Sequence, residues 1–242
     1  MKVYRSAFAQ FLNSVILKGD IESKEAVFDI TKTGIKVVTK TINNVVALKA
    51  VLKGEFEQIG EVGIGDLTLL RNFISSFDSE ELELTKSKNK LILKSEIEKL
   101  EIQTNIVNPE YIKINVPEDK FNGLVAQSKG NEFLLTLDTI KKIITYSSTI
   151  KAEDVILTGK GNDLTLQLDE LENKLVASFE LLEKVEPFQI KFQASYLLNL
   201  LTNVKQEVTV SAHTNKGMYI KVENDGYVIE YMLAPIEIRE KK

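Results

Sequence analysis

The chain repeats one pattern of periodicities, and this repetition constrains the fold more than any single motif. Four short segments carry apolar residues at helical spacing. Segment 7–18 aligns Phe8, Phe11, Leu12, Val15 and Ile16 on one stripe, and segment 66–77 aligns Leu67, Leu70, Phe73, Ile74 and Phe77. Segment 138–151 aligns Ile140, Ile143, Ile144 and Ile150, and segment 195–205 aligns Leu197, Leu198, Leu201 and Val204. Asp66, Asp138 and Ser195 stand where a side-chain oxygen can cap the first turn. The remainder alternates like strands. In the first half these are 26–31 and 35–39 around the turn Lys32-Thr33-Gly34, then 45–52, 57–64, 81–85, 91–94 after the turn Ser87-Lys88-Asn89, and 99–104. In the second half they are 155–158 and 164–168 around Lys160-Gly161-Asn162, then 174–181, 188–193, 208–213, 218–222 and 227–233. Each half therefore reads helix, four strands, helix, three or more strands, and the second copy starts about 130 residues after the first.

The expected organisation is α+β with two similar domains, 1–117 and 132–242, joined by a connecting linker at 118–131. Pro117, Gly123 and Gly130 give that stretch a linker composition. Its apolar residues Phe121, Leu124 and Val125 need a surface to cover.

Several chemistries are excluded by what is missing. Cysteine is absent and His213 is the only histidine, so disulfides, thiolate sites and histidine-rich zinc sites cannot form. His213 lies in the alternating run 207–214 and reads as a strand residue rather than half of a nucleophile–base pair. The run Gly60-Glu61-Val62-Gly63-Ile64-Gly65 lacks the ending and spacing of a phosphate loop and reads as a strand entering a capped helix. Asp78, Glu80, Glu81 and Glu83 read as a solvated helix-to-strand turn, not a metal cluster. A non-enzymatic chain without metal or cofactor is expected. Residues 1–10 carry no signal-peptide pattern, and no apolar run approaches the roughly 18 residues of a membrane span, so an intracellular protein with no membrane partner is expected.

Charge is segregated. The chain carries a net −4, yet the four helical segments hold Lys18, Arg71, Lys141, Lys142, Lys151 and Lys205 against only Asp66 and Asp138, a net +4. Such segregation allows an acidic protein to hold a polyanion on one face. The plainer reading is that lysine decorates the solvent side of amphipathic helices.

The pattern resembles the DNA sliding clamps, of the kind found as proliferating cell nuclear antigen, its archaeal counterparts and tailed-phage clamps. Glu25-Ala26-Val27-Phe28-Asp29-Ile30 with Gly34 is similar to the clamp's first hairpin, Tyr196-Leu197-Leu198-Asn199 to its fourth helix, and Tyr231-Met232-Leu233-Ala234-Pro235 to its closing strand and turn. Together, in order, these span the chain. The resemblance implies the DNA clamp fold: antiparallel sheets outside, two helices per domain lining the inner face, and three subunits closing head to tail into a ring around duplex DNA. The implied function is a processivity factor tethering a DNA polymerase, a clamp loader ATPase and other replication and repair proteins through short peptide motifs. Its place is the cytoplasm of a prokaryotic or virus-infected cell, or the nucleus of a eukaryote.

The resemblance also assigns sites. DNA would meet Lys18, Arg71, Lys141, Lys142, Lys151 and Lys205, with Asn72 and Asn203 as polar contacts. Relatives often carry lysines midway along the first helix, where this chain has Asn13 and Ser14, with Asp20 just beyond. Direct DNA affinity is therefore expected to be weak, with retention by topology. Partner peptides would meet Val45, Ala47, Phe121, Leu124, Val125, Met232, Ala234 and Pro235. Subunits would pair through segment 109–116, read as a strand bracketed by Pro109 and Pro117, and segment 171–181. The residues involved would be Tyr111, Ile112, Lys113 and Ile114 on one side and Lys174, Leu175, Val176, Ala177 and Ser178 on the other. Two alternatives stay open: a monomeric or dimeric processivity factor binding DNA on an open basic face, and a β-rich interaction module with no DNA role.

Overall fold

The structure, a computed structural model, describes residues 2–17, 24–170 and 173–236. Its element order is β1 (Lys2–Tyr4), α1 (Arg5–Ile16), β2 (Ala26–Thr31), β3 (Gly34–Lys40), β4 (Val46–Lys53), β5 (Gly60–Ile64), α2 (Leu67–Ser75), β6 (Glu81–Ser87), β7 (Lys90–Ser95) and β8 (Leu100–Asn105). A 3-10 turn at Pro109–Tyr111 and α3 (Glu118–Ser128) lead into the second copy. That copy runs β9 (Asn131–Leu135), α4 (Leu137–Ile150), β10 (Asp154–Glu170), β11 (Asn173–Gln193), α5 (Ala194–Thr202), β12 (Val208–His213), β13 (Gly217–Glu223) and β14 (Tyr227–Leu233). The chain divides into two units. The N-terminal unit is Met1–Ile42, Leu48–Glu118 and Glu223–Ile229, and the C-terminal unit is Asn43–Ala47, Asp119–Val222 and Glu230–Lys242.

In the N-terminal unit, β1, β6, β7 and β8 form an antiparallel sheet in that order, and β2 pairs with both β3 and β5. The apolar stripe of α1 is what anchors it. Phe8, Phe11, Leu12, Val15 and Ile16 are buried, and Phe11 meets Phe28 of β2 edge to face with ring centroids 5.9 Å apart. Each such burial contributes about 1.5–3 kcal/mol. Asp66 caps α2 as expected, accepting from the Leu69 amide at 2.7 Å. Gly63 explains the glycine-rich run that precedes it. A Cβ at Gly63 would stand 2.4 Å from the Val107 carbonyl oxygen, in a backbone pair where the Val107 amide donates to Gly63 at 2.9 Å. The glycine serves close strand approach, not phosphate.

In the C-terminal unit, β10 and β11 form a long two-stranded ribbon, and β12 pairs with β9 and β13. Phe133 of β9 stacks on Phe188 of β11 at 5.9 Å. Helices α4 and α5 bury Ile140, Ile143, Leu197, Leu200 and Leu201.

Four expectations need correction. Segment 109–116 is not a strand. Pro109 opens the 3-10 turn with Asn108 as its cap, Ile112 is buried, and Ile114 and Val116 bond to the backbone of Lys40 and Val38 within the same unit. Segment 118–131, read from its composition as a linker, carries a helix, Glu118–Ser128. Lys160-Gly161-Asn162 is not a hairpin turn. It is an irregularity inside β10, where the register against β11 slips and the Asn162 amide side chain donates to the Leu181 carbonyl at 3.0 Å. The caps of α4 and α5 are not Asp138 and Ser195. Thr136 accepts from the Thr139 amide at 3.2 Å, and Gln193 precedes α5 without a side-chain cap.

Candidate functional site

The expected site residues fall into two groups: the exposed faces of the helices, and the surroundings of α3. Each is described within its own unit.

In the N-terminal unit the helices offer little positive charge. Arg5, at the start of α1, faces Glu80 at 3.7 Å. Glu80 also accepts from the Ser6 amide at 3.1 Å, so a carboxylate from outside the helix covers its positive end. Asn13 is half-buried and Ser14 is buried, its hydroxyl donating to the Gln10 carbonyl at 3.0 Å. Arg71 on α2 is half-buried beside the exposed Asn72, donating to its side-chain oxygen at 3.4 Å. Lys18 lies outside the described residues.

In the C-terminal unit, Lys141 and Lys142 are exposed on α4. Lys142 pairs with Asp138 one turn earlier at 2.7 Å, and this contact raises the lysine pKa. Both groups are solvated, so the pair adds little stability. Lys151 ends the helix in the left-handed conformation, φ 54°, its amide donating to the Ser147 carbonyl. Lys205 lies beyond α5 and donates to the Thr202 carbonyl at 3.2 Å. Asn203, the last-turn cap of α5, donates to the Asn199 carbonyl at 3.4 Å.

Between the cations, the helices carry hydroxyls. Ser75, Ser76, Thr145, Ser148, Thr149 and Thr202 each donate to the carbonyl four residues earlier, at 2.7–3.0 Å. The pattern is common to both units.

The residues expected around a peptide site all lie in the C-terminal unit. Phe121 is fully buried and anchors α3, while Leu124 is 43% exposed and Val125 half-buried. The Ser128 hydroxyl donates to the Val125 carbonyl at 2.9 Å and lies 3.3 Å from the Met232 sulfur. Met232 is itself nearly buried. The Ala234 amide donates to the Val45 carbonyl at 2.8 Å, tying the turn after β14 to the half-buried pair Val45 and Ala47. Pro235 is half-exposed beside it. Gly130 closes the arrangement: a Cβ there would sit 2.4 Å from the Ala212 carbonyl oxygen, and its amide donates to Ser211. Ser128, Ser211 and Gly130 do not stand out as site residues in the sequence. The spacing Phe121, Leu124, Val125, Ser128 is the helical signal that could have exposed the first of them.

The start of α3 is held separately, in the N-terminal unit. Glu118 accepts from Lys36 at 2.9 Å and from Lys49 at 2.8 Å. The hydrogen bonds from Lys49 and then Lys36 hold its carboxyl at a pKa of about 2.

The free sheet edges differ from those expected. In the N-terminal unit the four-stranded sheet ends on β1 and on β8, and segment 109–116 is spent on β3. Tyr111 is exposed and the Ile112 side chain is buried. In the C-terminal unit, Lys174, Val176 and Ser178 of β11 are exposed, alternating with half-buried Leu175 and Ala177, along a ribbon paired on its other side to β10.

This arrangement is the sliding-clamp fold. Proliferating cell nuclear antigen from Entamoeba histolytica superposes with a TM-score of 0.80 at 17% identity, covering 98% of each chain. The same protein from A. fulgidus, solved with the C-terminal region of FEN-1 bound, gives 0.80 at 16% identity, covering 99% of this chain and 98% of that one. Its counterpart from Thermococcus kodakaraensis gives 0.79 at 14% identity, covering 97% and 98%. No family model and no curated protein matches the sequence. Among the described residues no helix is long and apolar enough to cross a membrane, and no group of acidic or histidine side chains is placed to hold a metal ion.

Proposed function

We propose that this chain is a sliding clamp: a non-enzymatic homotrimeric ring that encircles duplex DNA and tethers a DNA polymerase, a clamp loader and other replication proteins. The observation that carries the reading is the near-full-length likeness to proliferating cell nuclear antigen at TM-scores of about 0.8. Ring closure needs two complementary edges on one protomer. In this reading those edges are the outer edge of β8 and the 174–178 edge of β11. Long edges of this kind invite pairing with another chain unless covered. The domain division that goes with this reading is 1–117 and 132–242, with α3 as the connector between them.

The cations at Lys141, Lys142, Lys151, Lys205 and Arg71 supply sequence-independent attraction to phosphates. They are few, so the encircled topology rather than affinity keeps the protein on DNA. Partner proteins dock by short peptides on the surface formed by α3, the Val45 segment and the turn after β14. The A. fulgidus clamp supports this mode of docking, since it binds the C-terminal region of FEN-1. The test is mass in solution together with retention on nicked circular and linear DNA. A trimer that stays on circles and leaves linear ends supports the proposal, whereas a monomer, or equal retention on both forms, overturns it.

A further inference from the structure

The internal repeat differs at one pair of matching places. In the C-terminal unit the strand leading to the last helix, β11, is unbroken, and it covers β9. Phe188 stacks on Phe133, the Leu134 amide donates to Glu183, and the Glu186 amide donates to Asn131. In the N-terminal unit the corresponding run is interrupted. Strand β4 ends at Lys53, β5 begins at Gly60, and residues 54–59 belong to no strand. Strand β1, the outermost of its sheet, borders a cavity of about 360 Å³ instead of a covering strand. The cavity floor is apolar, with Val3, Leu52 and Phe56 buried and Ala7 half-buried. Tyr4 stands at its rim, 63% exposed.

The charges at the rim are unevenly satisfied. Lys2 pairs with Glu81 at 2.9 Å, and Lys53 with Glu223 at 3.2 Å. Glu55 on the rim is exposed and has no ion pair among the described residues. Asp225, also exposed and without an ion pair there, lines an adjoining depression that shares Ala7 and Gly226 with the cavity. The lysines are neutralised and the uncompensated charge is negative.

We infer that this cavity is a second docking site, for an extended peptide with a large apolar residue flanked by basic ones. The peptide adds along the outer edge of β1 and seats its apolar side chain on Val3, Leu52 and Phe56. Its Lys or Arg residues meet Glu55 and Asp225. Edge addition supplies main-chain hydrogen bonds and the cavity supplies side-chain selection. The volume lies at the lower end of ligand pockets, about 300–1,000 Å³. The site belongs to the N-terminal unit and uses none of the residues around α3.

The test is fluorescence anisotropy of the full chain with a labelled peptide Lys-Val-Phe-Val-Lys and its counterpart Glu-Val-Phe-Val-Glu. The basic peptide binds saturably and the acidic one about tenfold or more weakly. Ala7→Leu fills the cavity from α1 and weakens the basic peptide about tenfold. The double variant Glu55→Lys/Asp225→Lys reverses the preference between the two peptides. Absence of saturable binding, equal binding of both peptides, or an unchanged preference in the double variant overturns the proposal. Both charge changes lie at exposed positions, so that arm decides the matter even if Ala7→Leu fails to fold.

Discussion

The two units share an element order yet spend their residues differently. The N-terminal unit places its aromatic weight under α1, through Phe8, Phe11 and Phe28, and presents Arg5 and Arg71 as its helical cations, the first facing Glu80. The C-terminal unit places its stacked pair between β9 and β11 and carries exposed lysines on and after α4. Duplication preserves the helix stripes and strand alternation because both are needed to bury a core. It leaves the solvent side free to diverge, since substitutions there cost within about 0.5 kcal/mol.

The strongest way to break this comparison is through the cores. Phe11→Ala leaves a cavity in a fully buried site and destabilises by about 3–5 kcal/mol, read from denaturant unfolding. If the N-terminal unit relied on its helices less than described, the loss would be far smaller. Next comes charge. Lys141→Glu with Lys142→Glu lowers duplex affinity about tenfold or more and flattens the salt dependence, the slope changing by about 0.9 for each phosphate no longer neutralised. Arg71→Glu has the smaller effect on the same titration. Equal effects would erase the asymmetry between the units.

The smallest effect concerns Glu118. Its folded pKa is depressed from 4.5 to about 2, so its ion pairs contribute stability that is fully present above about pH 4.5. That contribution is lost as the pH falls toward 2. Glu118 is about a third exposed, so after solvent screening Glu118→Gln costs about 1 kcal/mol near neutrality. Unfolding midpoints of the two proteins should converge on acidification. A constant gap down to about pH 2.5 would show that the carboxylate charge is not what matters.

Much of the fold was legible because core burial writes itself into periodicity. The stripes of α1, α2, α4 and α5 and the strand β14 lie where the alternation places them. Helix α3 was obscured by composition: Pro117, Gly123 and Gly130 signal a linker, while Phe121, Leu124 and Val125 carry the helical spacing. Segment 109–116 misled because its two prolines bracket an alternating run. The structure instead uses Pro109 to open a turn, where its missing amide costs nothing. Gly161 misled because a residue at φ 61° serves a bulge as well as a hairpin turn, and only the partner strand distinguishes them. Of the residues around α3 and the turn after β14, the apolar ones are those the sequence singles out. The Ser128–Met232 contact and the Gly130 approach were not legible, because each depends on a residue far away in the chain.

The hydroxyls along the helices have a mechanical consequence. Each donates its hydrogen bond to its own helix, so it meets an approaching anion with lone pairs rather than a free donor. A phosphate gripping such a surface must first pull an internal bond apart. Within each unit, these hydroxyls therefore add little grip on an anion beyond what the neighbouring cations supply.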